Sequence, residues 1–93
     1  MRATYRGRVL AESDDVVTLD GYHYFRREDV RAPEALIDSA HTSFCGYKGD
    51  ASYYHVEVDG HRAENACWTY AEPYKAAEHI RGRVAFWKDV EVG

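Results

Sequence analysis

Cys45 and Lys48 stand three residues apart in "HTSFCGYKGDASYYHV", the stretch from His41 to Val56, with Gly46 and Gly49 interleaved. In a turn, side chains at this spacing can point the same way, and an ammonium beside a thiol lowers its pKa and yields a thiolate nucleophile. The two glycines would let backbone N–H groups approach an anion closely, as concave backbone nests do. Two chemistries follow: group transfer or hydrolysis at Cys45 or Lys48, and capture of an anion by Lys48 and nearby amides. A plain turn uses the same residues differently, with Cys45 a small buried hydrophobe and Lys48 in solvent.

Other chemistries find less material. Structural zinc needs four Cys or His ligands, usually in two close pairs. Here His41 with Cys45 and His61 with Cys67 stand four and six apart, neither a zinc-knuckle spacing, so no metal is expected. Glu57 and Asp59 are the one acidic pair that a strand would put on a single face for Mg²⁺, but Asp59-Gly60 also reads as a hairpin turn. No G-x-x-x-x-G-K-[ST] phosphate loop occurs. Glu28 and Asp29 suit a turn better than acid–base work, and His23, His55, His61 and His79 have no partner visible in the sequence.

The elements that must position these residues are short. "TYRGRVLAES" reads as a strand with Gly7 marking a bulge or a close backbone approach. "DDVVTLDGYHYF" reads as a hairpin turning at Asp20-Gly21. "ASYYHVEVDGHRAENACWTY" reads as a second hairpin. In it Tyr54, Val56 and Val58 share one face, Tyr53, His55 and Glu57 the solvent face, and Asp59-Gly60 turns the chain towards Trp68 and Tyr70. "GRVAFWKDVEV" adds a strand or a pair. Pro73, the stripe of Ala76, Ala77 and Ile80, and Gly82 beyond it fit one short helix, and a further turn follows Pro33. Tyr22 with Tyr24, and Trp68 with Tyr70, fall on common faces at period two, either as core or as the wall of a pocket.

Length and charge bound the rest. Ninety-three residues make a single domain, 1–93, that buries roughly 60–65% of its unfolded surface. Eight Tyr, two Trp and three Phe help fill that core. A net charge of −4 argues against nucleic acid, and Arg26, Arg27 and Arg31 are interrupted by Glu28 and Asp29. No apolar run suits a signal peptide or a membrane span, so a cytoplasmic protein with reduced thiols is expected.

Taken in order, "YRGRVLAES", "HYFRREDV", "CGYKGDASYY", "ACWTYAEP" and "VAFWKDVEV" resemble the small bacterial family known as domain of unknown function 427, over most of the chain. The resemblance implies a compact antiparallel β fold of the tent-like kind, with two sheets meeting at an angle. The family is sometimes labelled nucleotidyltransferase-like and carries no established reaction. This chain departs from the family pattern at Tyr5, where Trp is usual, at Arg26 and Gly46, where Pro is usual, and at Cys67, where a small residue is common. A flexible Cys-Gly turn thus replaces a rigid Cys-Pro one.

The expectation is therefore a mainly β domain of antiparallel hairpins in a bent, two-sheet arrangement with one or two short helices. It would bind a small, anionic ligand at a pocket built from Cys45, Lys48, Gly49, Tyr24, Trp68 and Tyr70, without cofactor. The alternatives are a group-transfer or hydrolytic enzyme using Cys45 or Lys48, and an interaction domain pairing through a sheet edge as a monomer or weak homodimer.

Overall fold

Three Xaa-Gly dipeptides organise the chain. Arg6-Gly7, Asp20-Gly21 and Asp59-Gly60 all have positive φ at both residues, near +50° and then +80° to +83°. That is the geometry of the two-residue hairpin turn whose twist matches the flanking strands. Each closes an antiparallel pair: β1 (Arg2–Tyr5) with β2 (Arg8–Glu12), β3 (Val16–Leu19) with β4 (Tyr22–Phe25), and β6 (Gly49–Val58) with β7 (His61–Thr69). The first is a correction to the sequence reading. Gly7 is a turn, not a bulge in one strand, because Arg6 shares its left-handed conformation and the chain reverses there.

The computed structural model describes all residues, 1–93. Between these hairpins run β5 (Leu36–Cys45), β8 (Val84–Phe86) and β9 (Glu91–Val92). The strands form two antiparallel sheets, a small one in the order β2-β1-β9 and a larger one in the order β3-β4-β8-β7-β6-β5. The fold is mainly β, as the hairpin pattern implies. The expected helix after Pro73 is not an α-helix: Lys75–Ile80 makes 3₁₀ turns with a kink at Ala77 (φ −118°, ψ 25°) and no side-chain cap. Six residues are too few for an uncapped α-helix to hold itself together. Arg27–Asp29 and Pro33–Ala35 are likewise single 3₁₀ turns. No helix is long and apolar enough to cross a membrane.

The larger sheet is apolar on both faces. One face contributes Phe25, Val56, Val58, Cys67, Val84 and Phe86 to a core shared with Ala3, Tyr5, Leu10 and Ala11 of the small sheet. The opposite face carries Tyr24, Ala51, Trp68, Tyr70 and Ala85, and the 3₁₀ segment covers part of it with Ala77 and Ile80. Period-two alternation thus divides β7 cleanly: Cys67 enters the main core, whereas Trp68 goes to the other side.

Candidate functional site

The second face builds a cavity. Tyr22, Tyr24, Lys48, Tyr53, Trp68, Tyr70 and Trp87 surround about 130 Å³ of open-mouthed space. Register explains the convergence. Trp68 sits opposite Tyr53 on β6 and opposite Ala85 on β8, and the small Ala85 leaves the indole room to lie across the sheet. Four rings then pack about Trp68: Tyr22 at 4.9 Å, Trp87 at 5.7 Å, Tyr24 at 6.2 Å and Tyr53 at 6.3 Å between centroids, the first three close to perpendicular. Edge-to-face pairs of this kind add to the stabilisation given by burial alone.

Hydrogen bonds lock the wall. Trp68 Nε1–H donates to Tyr24 Oη at 3.2 Å. Tyr53 Oη and Ser43 Oγ share a bond of 2.9 Å. Trp87 is held through an irregularity in β7, where Glu64–Ala66 face only His55 of β6. Asn65 there has a φ of +54°, its N–H donates to His55 Nδ1 at 3.0 Å, and its carbonyl accepts Trp87 Nε1–H at 2.6 Å. His55 therefore has a structural partner that the sequence concealed. Tyr53, expected to face solvent, lines the cavity instead: three residues of β5, Ser39–His41, bulge opposite it, and His41 packs on its ring at 4.6 Å.

Lys48 supplies the only charge in this lining. It lies in the loop between β5 and β6 with its side chain 11% exposed, which corrects the picture of a solvated turn lysine. Its Nζ donates to Asp20 at 3.0 Å and stands 5.7 Å from the centre of the Tyr70 ring. Burial pushes the ammonium's pKa down, but the Asp20 hydrogen bond and the neighbouring Tyr70, Tyr24 and Cys45 outweigh it and hold the pKa above the ordinary lysine range. Asp20 projects from the β3–β4 turn, half exposed, and also accepts a hydrogen bond from Tyr47 Oη. Those bonds from Tyr47 and then Lys48 keep its carboxyl below the usual range. Burial raises the Tyr24 hydroxyl and pushes Tyr70 up to about 12, so both phenols remain neutral donors at pH 7.

Of the six residues singled out in the sequence, Lys48, Tyr24, Trp68 and Tyr70 line the cavity; Cys45 and Gly49 do not. Cys45 and Gly49 are paired across the start of the β5–β6 hairpin. Gly49, at φ +107°, packs against the backbone of Glu72–Tyr74, where an added Cβ would lie 3.5 Å from the Glu72 carbonyl. Gly46 has neither a positive φ nor a neighbour within 4 Å, so it is no close-approach glycine. The Tyr47 amide does most to lower the Cys45 thiol's pKa; burial opposes it, and the Lys48 amide and charge add smaller lowering effects, so the net shift is downward. Cys67 lies wholly inside the main core, and burial raises its pKa. Iodoacetamide near neutral pH should therefore modify Cys45 and leave Cys67 intact in the folded protein. The Cys45 rate should rise with pH and reach its midpoint below that of an ordinary free thiol. Mass mapping of the alkylated peptides over a pH series checks both statements; equal modification of the two thiols would contradict them.

The sequence reading put Tyr22 on the face of Tyr24 without including it among the site residues, and it missed Tyr53 and Trp87. Trp87 follows the last residue of β8, and its place in the wall comes from its bond to the Asn65 carbonyl and its packing on Trp68, neither of which has a local sequence signal.

Glu57 is tied to Arg62 at 2.8 Å, Asp59 occupies the β6–β7 turn, and no three His, Cys, Asp or Glu side chains converge anywhere.

Two sheets, with an aromatic cavity on the outer face of the larger one and one buried lysine in it, define a small β protein. The chain belongs to the family described as Domain of unknown function (DUF427), whose model matches residues 1–92. No curated protein matches it.

Proposed function

We propose that the protein is a binding module for a small, planar, anionic ligand that enters the aromatic cavity and places its charged group against Lys48. One observation carries this reading. The Lys48 ammonium has three N–H donors, yet its one hydrogen bond goes to Asp20, and the side chain that carries it is almost wholly buried among aromatic rings. An anion there would gain charge-assisted hydrogen bonds in surroundings drier than bulk water. The volume limits the ligand. About 130 Å³ is close to the roughly 150 Å³ cavity that accepts benzene in a protein interior, so one ring fits and a whole nucleotide does not. Tyr and Trp rings give such a ring faces and edges to stack on, and the Tyr70 hydroxyl is a neutral donor at the wall.

The test is a charge series on one ring: benzoate, benzyl alcohol and benzylammonium, titrated calorimetrically. Benzoate is expected to bind tightest and benzylammonium weakest, by about tenfold or more. Equal affinities, or a preference for the cation, would replace this reading with an uncharged or cation-binding aromatic box.

A second reading has its own observation. The lowered pKa of Cys45 favours a thiolate nucleophile and hence a group-transfer enzyme. It ranks below the first because Cys45 lies outside the cavity lining to which Lys48 belongs.

A further inference from the structure

Arg26 and Arg27 follow β4, and Arg81 and Arg83 precede β8. Because Phe25 pairs with Val84 in antiparallel register, the two stretches leave the sheet side by side at the same end. Arg26, Arg27, Glu28, Arg81, Gly82 and Arg83 there line a groove of about 350 Å³. Four arginines and one glutamate in one lining stand out in a chain whose net charge is −4. Like charges on adjacent strands repel, so the arrangement costs free energy unless anions answer it.

The chain's own carboxylates answer it in part. Asp29 takes Arg26 at 2.7 Å, Glu78 takes Arg81 at 2.9 Å, and Asp15 takes Arg83 at 3.1 Å while standing 3.8 Å from Arg26. Arg27 is the exception. Its one hydrogen bond goes to Tyr54 Oη at 2.8 Å, with the guanidinium 5.2 Å from the centre of that ring. Arg27 thus keeps four of its five N–H donors and its whole charge free. Arg83 is fixed by the fold, donating to the Asp15 carbonyl at 2.9 Å and the Tyr24 carbonyl at 3.4 Å.

We propose that this groove is a second binding site, distinct from the aromatic cavity, for a phosphoryl or diphosphoryl group carrying at least about two negative charges, with Arg27 as its principal ligand. A guanidinium fork meets two oxygens of a tetrahedral oxyanion at once, which an ammonium cannot do. Charge-paired neighbours make a selective site: a monoanion gains too little to compete with Asp15, Asp29 and Glu78, whereas a more highly charged oxyanion can recruit donors from several arginines.

The experiment is an amide NMR titration of the whole chain at low salt. Inorganic pyrophosphate is the first probe, methyl phosphate the arm that separates an esterified from a free phosphoryl group, and acetate the monoanion control. Saturable shifts confined to residues 26–28 and 81–83 are expected with pyrophosphate and absent with acetate. Methyl phosphate binding alongside pyrophosphate would support an esterified ligand, and pyrophosphate alone a free one. Arg27→Gln should weaken binding at least tenfold, whereas Arg62→Gln, which removes the same charge elsewhere, should leave it unchanged. Should Arg27→Gln not fold, Arg27→Lys keeps the charge and loses the fork, and is expected to weaken binding as well. Shifts scattered over the surface without saturation would overturn the proposal. So would an Arg27→Gln protein that behaves like Arg62→Gln, or an Arg27→Lys protein with full affinity.

Discussion

Trp68→Ala is expected to cost about 3–5 kcal/mol of stability, the usual range for truncating a large buried aromatic side chain. The indole is 7% exposed, four other rings pack on it, and its N–H holds the Tyr24 hydroxyl. Deleting it removes the centre of the second cluster and leaves Tyr24, itself fully buried, without that partner. Since domains are stable by roughly 5–15 kcal/mol, such a loss brings the variant close to unfolding. Trp68→Phe should retain most of the packing and lose the hydrogen bond, for about 1–2 kcal/mol. Denaturant melts of the two variants against the parent check both values. A Trp68→Ala melt that barely moves while benzoate binding disappears would show that the ring lines the cavity without holding the sheet together.

Lys48→Met is the second large effect, and it falls on binding instead of folding. Methionine keeps most of the aliphatic stem and removes the ammonium, which stands 5.7 Å from the centre of the Tyr70 ring. Asp20 loses its cation, but it is half exposed and keeps both water and Tyr47 Oη as partners. The melting temperature is therefore expected to change little, whereas benzoate affinity should fall by about tenfold or more. Because Lys48 is nearly buried, salt should screen the effect less than it would at an open surface. Melting curves and calorimetry on the same preparation separate the outcomes. Full affinity in the variant would remove Lys48 from the site, and a loss of folding would make the lysine structural.

The hairpins were legible because their signals are local. Asp20-Gly21 and Asp59-Gly60 place left-handed residues where only a tight turn can use them, and alternation along β4 and β7 put Tyr22 with Tyr24 and Trp68 with Tyr70 on common faces. The four wall residues found from sequence all came from these two rules and from the lysine in the β5–β6 loop. The misses came from features with no local signature. Tyr53 was assigned to solvent because its neighbours His55 and Glu57 are polar, but a sheet apolar on both faces buries part of what looks like an exposed side. The bulges opposite Tyr53 and His55 depend on pairing with other strands, so neither they nor the placement of Trp87 can be read along one strand. The helix after Pro73 failed for an energetic reason: an apolar stripe three residues long buries Ala77 and Ile80 equally well in 3₁₀ turns. The arginine groove joins residues far apart in the chain, and only the pairing of Phe25 with Val84 brings them together.

The two tryptophans offer the most direct measurement, because Trp68 and Trp87 are the only ones in the chain and both line the cavity. Their indole N–H groups give two NMR signals that report on the cavity from two walls, one bonded to Tyr24 Oη and the other to the Asn65 carbonyl. Titration with benzoate is predicted to move both signals along saturable curves that share one dissociation constant. Signals that stay fixed while benzoate is raised through the millimolar range, or that move without a common constant, would contradict a single ligand site in the aromatic cavity.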